Sequence, residues 1–290
     1  MKNINYGIIG LGLMGGSFAL ALRSKILCAK TARGHIFAID KNAENLQEAA
    51  DQKIIDKAYS LKDAPEMLSG CDFVFICLYP KTALEFLITH KDHFKSGAVV
   101  TDISGVKTDF IKNINLFLRP DVDFICAHPM AGSEKEGMQH AKAKIFEGRN
   151  YIVMPLESNK RENLDLFKRI VFALGFSRIT ESTPGEHDKK IAFTSQLCHV
   201  IASALVDSAE DTHITNFGGG SFEDLTRIAM INAPLWSELF LQNKKELLSQ
   251  IEKFETALNK IKTGIENSDQ KSLRGALQNV REKRIAMSNN

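Results

Sequence analysis

The chain has 290 residues, 44% hydrophobic and 25% charged, the profile of an ordinary globular protein of one large or two medium domains. Its 37 basic and 35 acidic residues leave a net charge of +2, which provides no bulk field for nucleic acid or for a membrane surface. No stretch reaches the ~18 consecutive apolar residues of a membrane span, and Met1–Asn5 runs into a strand-like segment with no room for a signal peptide, so a cytoplasmic location is expected.

Tyr6–Ile9 reads as a buried strand, and Phe18–Leu22 as an apolar helix. Between them Gly10, Gly12 and Gly15 stand at the spacing G-x-G-x-x-G, with Leu13 and Met14 inside the loop. In a dinucleotide fold the first glycine permits a tight turn, the second lets a pyrophosphate approach the backbone, and the third lets helix and strand pack closely. A second strand, His35–Ile39, ends on Asp40, an acid placed to accept hydrogen bonds from a ribose 2′-hydroxyl. The cofactor this pattern points to is NAD.

Asn42–Gln52 has helical composition. Cys71–Leu78 is a continuous apolar strand ending at Tyr79-Pro80, Thr82–His93 a helix, and Ala98–Ile103 and Val122–Ala127 two further strands. Alternation of strand and helix at this rhythm predicts a parallel sheet covered on both faces. Ligands of such sheets bind beyond the carboxyl ends of the strands, which directs attention to Gly10–Gly15, Asp40, Leu78-Tyr79-Pro80, Ser104-Gly105 and His128-Pro129.

Tyr151–Met154 and Phe176–Thr180 read as strands around a helix at Asn163–Leu174. From Pro184 the pattern changes to helices only. Glu186–Ala209 is helical with Ile191, Thr194, Cys198, Ala202 and Leu205 on one side. Leu247, Ile251, Phe254, Leu258, Ile261 and Ile265 form the seam of an amphipathic helix. The expected organisation is a Rossmann-type α/β domain over residues 1–181 and an all-helical domain over residues 182–290. The last seam packs either within the protomer or against a second copy.

Five cysteines without CxxC spacing, two of them (Cys77 and Cys126) in apolar runs, read as reduced thiols. His90 and His93 share a helix face, but no cysteine or acid completes a metal site, and none is expected.

A nicotinamide enzyme needs a group to manage the proton that accompanies the hydride. His128 follows a predicted strand end in Ala127-His128-Pro129-Met130-Ala131-Gly132-Ser133-Glu134, and a neutral imidazole accepts a hydroxyl proton near pH 7. His199 lies near the border of an apolar helix face, where a histidine is either a core residue or a site residue. Arg227, flanked by apolar helix residues, reads as a buried guanidinium that needs an anion, either Glu223 one turn earlier or a substrate carboxylate.

Together, Gly10–Gly15, Thr101-Asp102-x-x-x-Lys107, the His128–Glu134 run, Ser195-x-Leu197-x-His199 and Gly218–Ala229 resemble the prephenate dehydrogenases, over residues 6 to about 245. The resemblance implies NAD-dependent oxidative decarboxylation of prephenate to 4-hydroxyphenylpyruvate on the route to tyrosine. It places His128 at the ring hydroxyl as proton acceptor, His199 and Arg227 at the dianionic substrate, Ser133 and Ser104 as substrate contacts, and a homodimer through the helical domain. The same resemblance covers arogenate dehydrogenase. Another two-domain hydroxyacid or imine dehydrogenase explains the glycine loop but not the His128 and Arg227 segments.

Two departures stand out. Many members read Asp-x-Gly-Ser-Val-Lys where this chain has Asp102-Ile103-Ser104-Gly105-Val106-Lys107, so the serine that partners the histidine falls on Gly105. Many also carry a second histidine where this chain has Gln196. Neither an appended regulatory domain nor a chorismate mutase portion is expected.

Overall fold

A computed structural model describes residues 1–288. Its first half is an eight-stranded sheet in the order β3-β2-β1-β4-β5-β6-β7-β8. In chain order the strands are β1 (Tyr6–Ile9), β2 (Ile36–Ile39), β3 (Lys57–Tyr59), β4 (Phe73–Ile76), β5 (Val99–Asp102), β6 (Asp123–Pro129), β7 (Asn150–Met154) and β8 (Arg178–Glu181). The helices of this half are α1 (Leu13–Ala21), α2 (Ala43–Asp51), α3 (Ala64–Gly70), α4 (Pro80–His90), α5 (Thr108–Lys112), α6 (Ile114–Phe117) and α7 (Arg161–Leu174).

Successive strand residues point to opposite faces, so the sheet builds two cores. Tyr6, Ile8, Phe73, Phe75, Ile125 and Tyr151 pack with Phe18 of α1 and Phe167 and Ile170 of α7. Ile9, Ile39, Val74, Ile76, Val100 and Phe124 pack on the other face with Leu68, Phe86, Leu87, Phe110 and Phe117. Chain order reverses between β1 and β4, the crevice where doubly wound sheets take their ligands.

Three details differ from the sequence reading. The short, half-polar β3 lacks the apolar run that reveals a buried strand. The sheet is also not wholly parallel: β6 pairs antiparallel with β7, which then pairs parallel with β8. Strand β6 is longer than expected, because Cys126–Pro129 pairs with Met154–Tyr151 after its parallel pairing with β5 has ended at Ile125. His128 and Pro129 therefore lie within a strand, overhanging the carboxyl edge of β5, rather than in a turn after it.

Among the described residues all regular structure after β8 is helical: α8 (Pro184–Ile191), α9 (Leu197–Asp207), α10 (Gly220–Thr226), α11 (Ala233–Gln242), α12 (Lys244–Glu266) and α13 (Gln270–Ser288), with short tight turns between some of them. Thr183 caps α8 by accepting from the Glu186 N–H, and Pro184 takes the first helical position, where its missing N–H costs nothing. Helices α8 and α9 run on through one wide turn, in which the Leu197 N–H bonds to the Ala192 carbonyl five residues back. That extra residue rotates everything beyond it. The expected apolar side therefore breaks up: Ile191 and Ala202 are buried, but Thr194, Cys198 and Leu205 are exposed, while Ala192, Gln196 and Leu197 are buried instead. The α12 seam is best covered at its start, and further on Ile261 is partly buried. Leu247 is buried and Ile251 and Phe254 are partly so, whereas Leu258 and Ile265 are 51% and 63% exposed.

Candidate active site

The glycine loop has the shape its spacing predicts. Gly10 sits at φ +93°, and a Cβ there would stand 2.6 Å from the Cys77 carbonyl oxygen at the end of β4. A Cβ on Gly15 would collide with the Gly10 carbonyl at 1.8 Å, so only glycine lets α1 press against the β1 turn. On Gly12 a Cβ would meet nothing within 4 Å. Helix α1 begins there with no side-chain cap and no acid in its first turn, which Leu13 and Met14 open, so its N–H groups and dipole are left for an anion. This open backbone cradle fits a dinucleotide pyrophosphate.

Asp40 stands beside it. One carboxylate oxygen accepts from the Leu11 N–H in the glycine loop, the other from the Asn42 N–H at 2.7 Å. Leu78 lines the loop, its Cδ2 3.0 Å from the position of a Gly10 Cβ. Pro80 opens α4, and the exposed Tyr79 accepts a hydrogen bond from the Asn232 amide at 2.8 Å. Glu238 of α11 accepts from the Lys81 N–H, so this strand end touches the helical half as well.

His128 reaches from β6 into the junction between sheet and helices. Its Nδ1 lies 3.0 Å from His187 Nε2, and His187 Nδ1 lies 2.8 Å from Asp188 Oδ1. The Asp188 carboxylate also accepts the N–H groups of Lys107 (2.9 Å) and Thr108 (2.8 Å) and the Thr108 hydroxyl, which closes the start of α5. Lys107 is itself buried, its Nζ 2.6 Å from Asp102 Oδ2. Burial, then the neighbouring His187 and the Lys107 cation, hold the His128 imidazole well below its ordinary pKa, so it stays neutral. On its other side, a Cβ on Gly105 would lie 3.7 Å from His128 Nε2. Ser104 is buried; its N–H donates to Asp102 and its hydroxyl has no partner. Gln196, at the position of the family's second histidine, donates to the Leu239 carbonyl and accepts from Asn243, tying α11 and α12 to the start of α9.

His199 stacks on Trp236 with ring centroids 3.5 Å apart, and its Nδ1 donates to the Ser195 carbonyl at 2.9 Å. Its pKa is lowered, mainly by burial and further by Arg227, while the Ser195 carbonyl works the other way. Arg227 is not the buried guanidinium expected. Its side chain is 57% exposed, and its partner at 3.2 Å is Glu134, from the loop after β6, rather than Glu223. The apolar flanks misled because α10 carries no buried residue. Ser133 is exposed, accepting from the Lys135 N–H. Arg227, Glu134 and Ser133 thus sit together at the surface, and His128, Gly105, Ser104 and Lys107 further in.

Sequence reasoning does not single out His187 or Asp188, because Glu186–Lys190 reads as a solvated polar run. The available signal is Ile191 one turn on from His187, which marks the buried face of α8. His90 and His93 lie with centroids 5.6 Å apart, and among the described residues no group of three or more His, Cys, Asp or Glu side chains is arranged for a metal. Burial pushes the thiols of Cys77 and Cys126 up, and all five cysteines are unpaired.

A glycine cradle at the switch point of a doubly wound sheet, with a histidine overhanging its carboxyl edge against an appended helical unit, defines a nicotinamide-dependent dehydrogenase. Residues 18–179 match the family model described as "Prephenate dehydrogenase, nucleotide-binding domain", and residues 183–279 match "Prephenate dehydrogenase, dimerization domain". The prephenate dehydrogenase of Lactococcus lactis subsp. cremoris is 30% identical over 97% of this chain and 76% of its own length. The cyclohexadienyl dehydrogenase of Zymomonas mobilis is 27% identical over 90% of this chain and 88% of its own. The crystal structure of Aquifex aeolicus prephenate dehydrogenase, in complex with hydroxyphenyl propionate and NAD+, superposes with a TM-score of 0.87 at 31% identity, covering 99% of each chain. The chain belongs to the prephenate dehydrogenase family, and it is an NAD-dependent oxidoreductase.

Proposed function

We propose that the chain is a cytoplasmic enzyme that oxidatively decarboxylates prephenate to 4-hydroxyphenylpyruvate, working as a homodimer. Residues 1–181 hold NAD through Gly10, Gly12, Leu13, Met14, Gly15, Asp40, Leu78, Tyr79 and Pro80. Residues 182–290 complete the substrate site and pair with a second copy. The observation that carries this reading is a neutral, inward-held His128 whose free nitrogen faces the space in front of Gly105.

Bound NAD accepts hydride from the ring carbon that bears the hydroxyl. His128 Nε2 takes the hydroxyl proton as that carbon becomes a carbonyl. The ring carboxylate then leaves as carbon dioxide, its bonding electrons aromatise the ring, and the proton returns from His128 to the phenolic oxygen. Nothing else is consumed: prephenate and NAD give 4-hydroxyphenylpyruvate, carbon dioxide and NADH. Arg227, exposed and paired with Glu134, exchanges that carboxylate for one of the substrate's, and His199 beside it offers a lone pair on Nε2.

The test is NADH formation by the purified protein with prephenate, arogenate and simple 2-hydroxyacids offered in parallel. Prephenate should be turned over most efficiently. A preference for arogenate makes the chain an arogenate dehydrogenase, and turnover of hydroxyacids alone overturns the reading.

A further inference from the structure

We propose that His187 and Asp188 are positioning residues that fix the tautomer of His128, so that its Nε2 is the bare nitrogen facing the substrate space. The relay begins at Asp188. Four donors converge on its carboxylate: the Lys107 and Thr108 N–H groups, the Thr108 hydroxyl and His187 Nδ1. A carboxyl surrounded by donors is an acceptor only. Burial pushes it up, but these hydrogen bonds outweigh burial and hold it below the ordinary carboxylate range.

The proton on His187 therefore sits on Nδ1, which donates to Asp188. In the neutral ring Nε2 then carries the lone pair. His187 is neutral, since burial, reinforced by the Lys107 cation, holds its pKa down against the pull of Asp188. At 3.0 Å from an accepting His187 Nε2, His128 Nδ1 must donate. Its Nε2 is thereby left unprotonated, on the side where Gly105 leaves room. Free histidine in water favours the opposite tautomer, with the proton on Nε2, which cannot accept from a hydroxyl. The relay also crosses the molecule: the base is on the sheet, and the residues that orient it are on the first helix of the helical half.

The catalytic consequence rests on His128 being the base for the proposed reaction, whereas the tautomer does not. Histidine-selective 15N NMR of the full-length protein, with the His128 signals assigned by their loss in His128→Asn, reads the tautomer directly. Wild type should show a protonated Nδ1 and a bare Nε2 on His128. His187→Gln can still accept from Nδ1–H through its amide oxygen and should keep that pattern, while His187→Leu should move proton population to Nε2. With prephenate, His187→Leu should lose about 10²-fold in kcat with KM changed less than about threefold, and His187→Gln should recover most of it. A wild-type His128 carrying Nε2–H overturns the proposal. So does a His187→Leu variant with unchanged tautomer and kcat, or equal losses in both variants with the tautomer unmoved, which marks a packing role. The expected tautomers in a protein that does not turn over prephenate uphold the relay and sink the reaction assignment instead.

Discussion

Gly105 faces the imidazole of His128: a Cβ built on this glycine lies 3.7 Å from Nε2, 3.8 Å from Cε1 and 3.5 Å from Leu239 Cδ2. These are ordinary van der Waals distances, and Gly105 has no positive φ to forbid a side chain. Gly105→Ala should therefore fold normally. Its methyl group occupies the approach to Nε2, and kcat/KM should fall about 10-fold, the scale of a small misplacement of reacting groups. Gly105→Ser should do better than Gly105→Ala, because its hydroxyl can replace the polar contact that the methyl blocks. Ser104→Ala separates the two positions: if the polar contact to His128 belongs at position 105, turnover should change less than about twofold. Steady-state kinetics on the three variants checks this. A severe loss in Ser104→Ala transfers the role to Ser104.

Arg227→Ala separates a substrate-binding role from a structural one. Arg227 is more than half exposed and Glu134 a quarter exposed, so solvent screens the pair and losing it should cost about 1 kcal/mol of stability or less. A lost charge-assisted contact to a substrate carboxylate costs about 2–5 kcal/mol in a desolvated site. At this exposed position the lower end applies, and KM should rise about 30-fold or more. Affinity for NAD, measured by titration, should scarcely move. A variant that unfolds or loses NAD places Arg227 elsewhere in the mechanism.

Asp40 accepts the Leu11 N–H from inside the glycine loop and the Asn42 N–H at its back. The remaining lone pairs suit a ribose 2′-hydroxyl, and its charge repels a 2′-phosphate. Wild type should prefer NAD over NADP, with Lys41 next in sequence moderating the preference. Asp40→Asn should narrow the gap by weakening NAD more than NADP. Equal catalytic efficiency of the wild type with both cofactors contradicts the assignment.

The exposed seam of α12 and α13 carries Leu258, Ile265, Leu277 and Val280, all more than half exposed in the protomer. An apolar face of this length on two long helices calls for a covering partner. Wild type should run as a dimer in light scattering. The double variant Leu258→Glu, Ile265→Glu should shift it towards monomer without unfolding the sheet, because both side chains are more than half exposed in the protomer and lie outside the sheet domain. A monomeric wild type rules the dimer out.

The nucleotide half was legible in the sequence because its signals are local. Gly10, Gly12 and Gly15 act through their own backbone, and apolar runs such as Phe73–Ile76 are buried on both faces whatever surrounds them. The inner site was legible only in part. His128 could be found from its motif, but its placement within β6 depends on antiparallel pairing with Ile152 of β7, which no local pattern announces. The partnership of His128 with His187, 59 residues away, is a tertiary contact. The burial of α8 and α9 resisted periodicity because the wide turn at Ala192–Gln196 shifts its phase. Arg227 escapes this reading because apolar neighbours on a helix imply burial only where packing is complete, and α10, although it lies against α9, carries no fully buried residue.

Acid should destabilise the fold through the same histidines. His128 and His187 are held neutral, with pKa values below the unfolded value of about 6.5. Above that pH both states are unprotonated at these sites and no stability difference arises. As pH falls below about 6.5 the unfolded chain binds protons that the folded one refuses, so stability drops by up to about 1.4 kcal/mol per pH unit for each ring, until the folded pKa is reached. Chemical denaturation at several pH values should show this slope between neutrality and mild acid. In His187→Leu the slope should shrink by the share of one ring.

His128 itself provides the sharpest separation of chemistry from binding. If its Nε2 accepts the hydroxyl proton, His128→Asn should keep the fold, NAD binding and much of the substrate affinity, because an amide still hydrogen-bonds a hydroxyl but cannot take its proton. Turnover should fall by roughly 10²–10⁴-fold, the usual worth of a positioned general base. The wild-type rate should also fall in acid, as the imidazole protonates. Burial, His187 and Lys107 hold that pKa well down, so the acid limb should lie clearly below the pH of about 6.5 at which an ordinary histidine titrates. Turnover against pH, measured for both proteins between mild acid and neutrality, decides the matter. If the same acid limb persists in a still-active His128→Asn variant, the base is another residue, and His199, whose Nε2 also carries a free lone pair, is the next to replace.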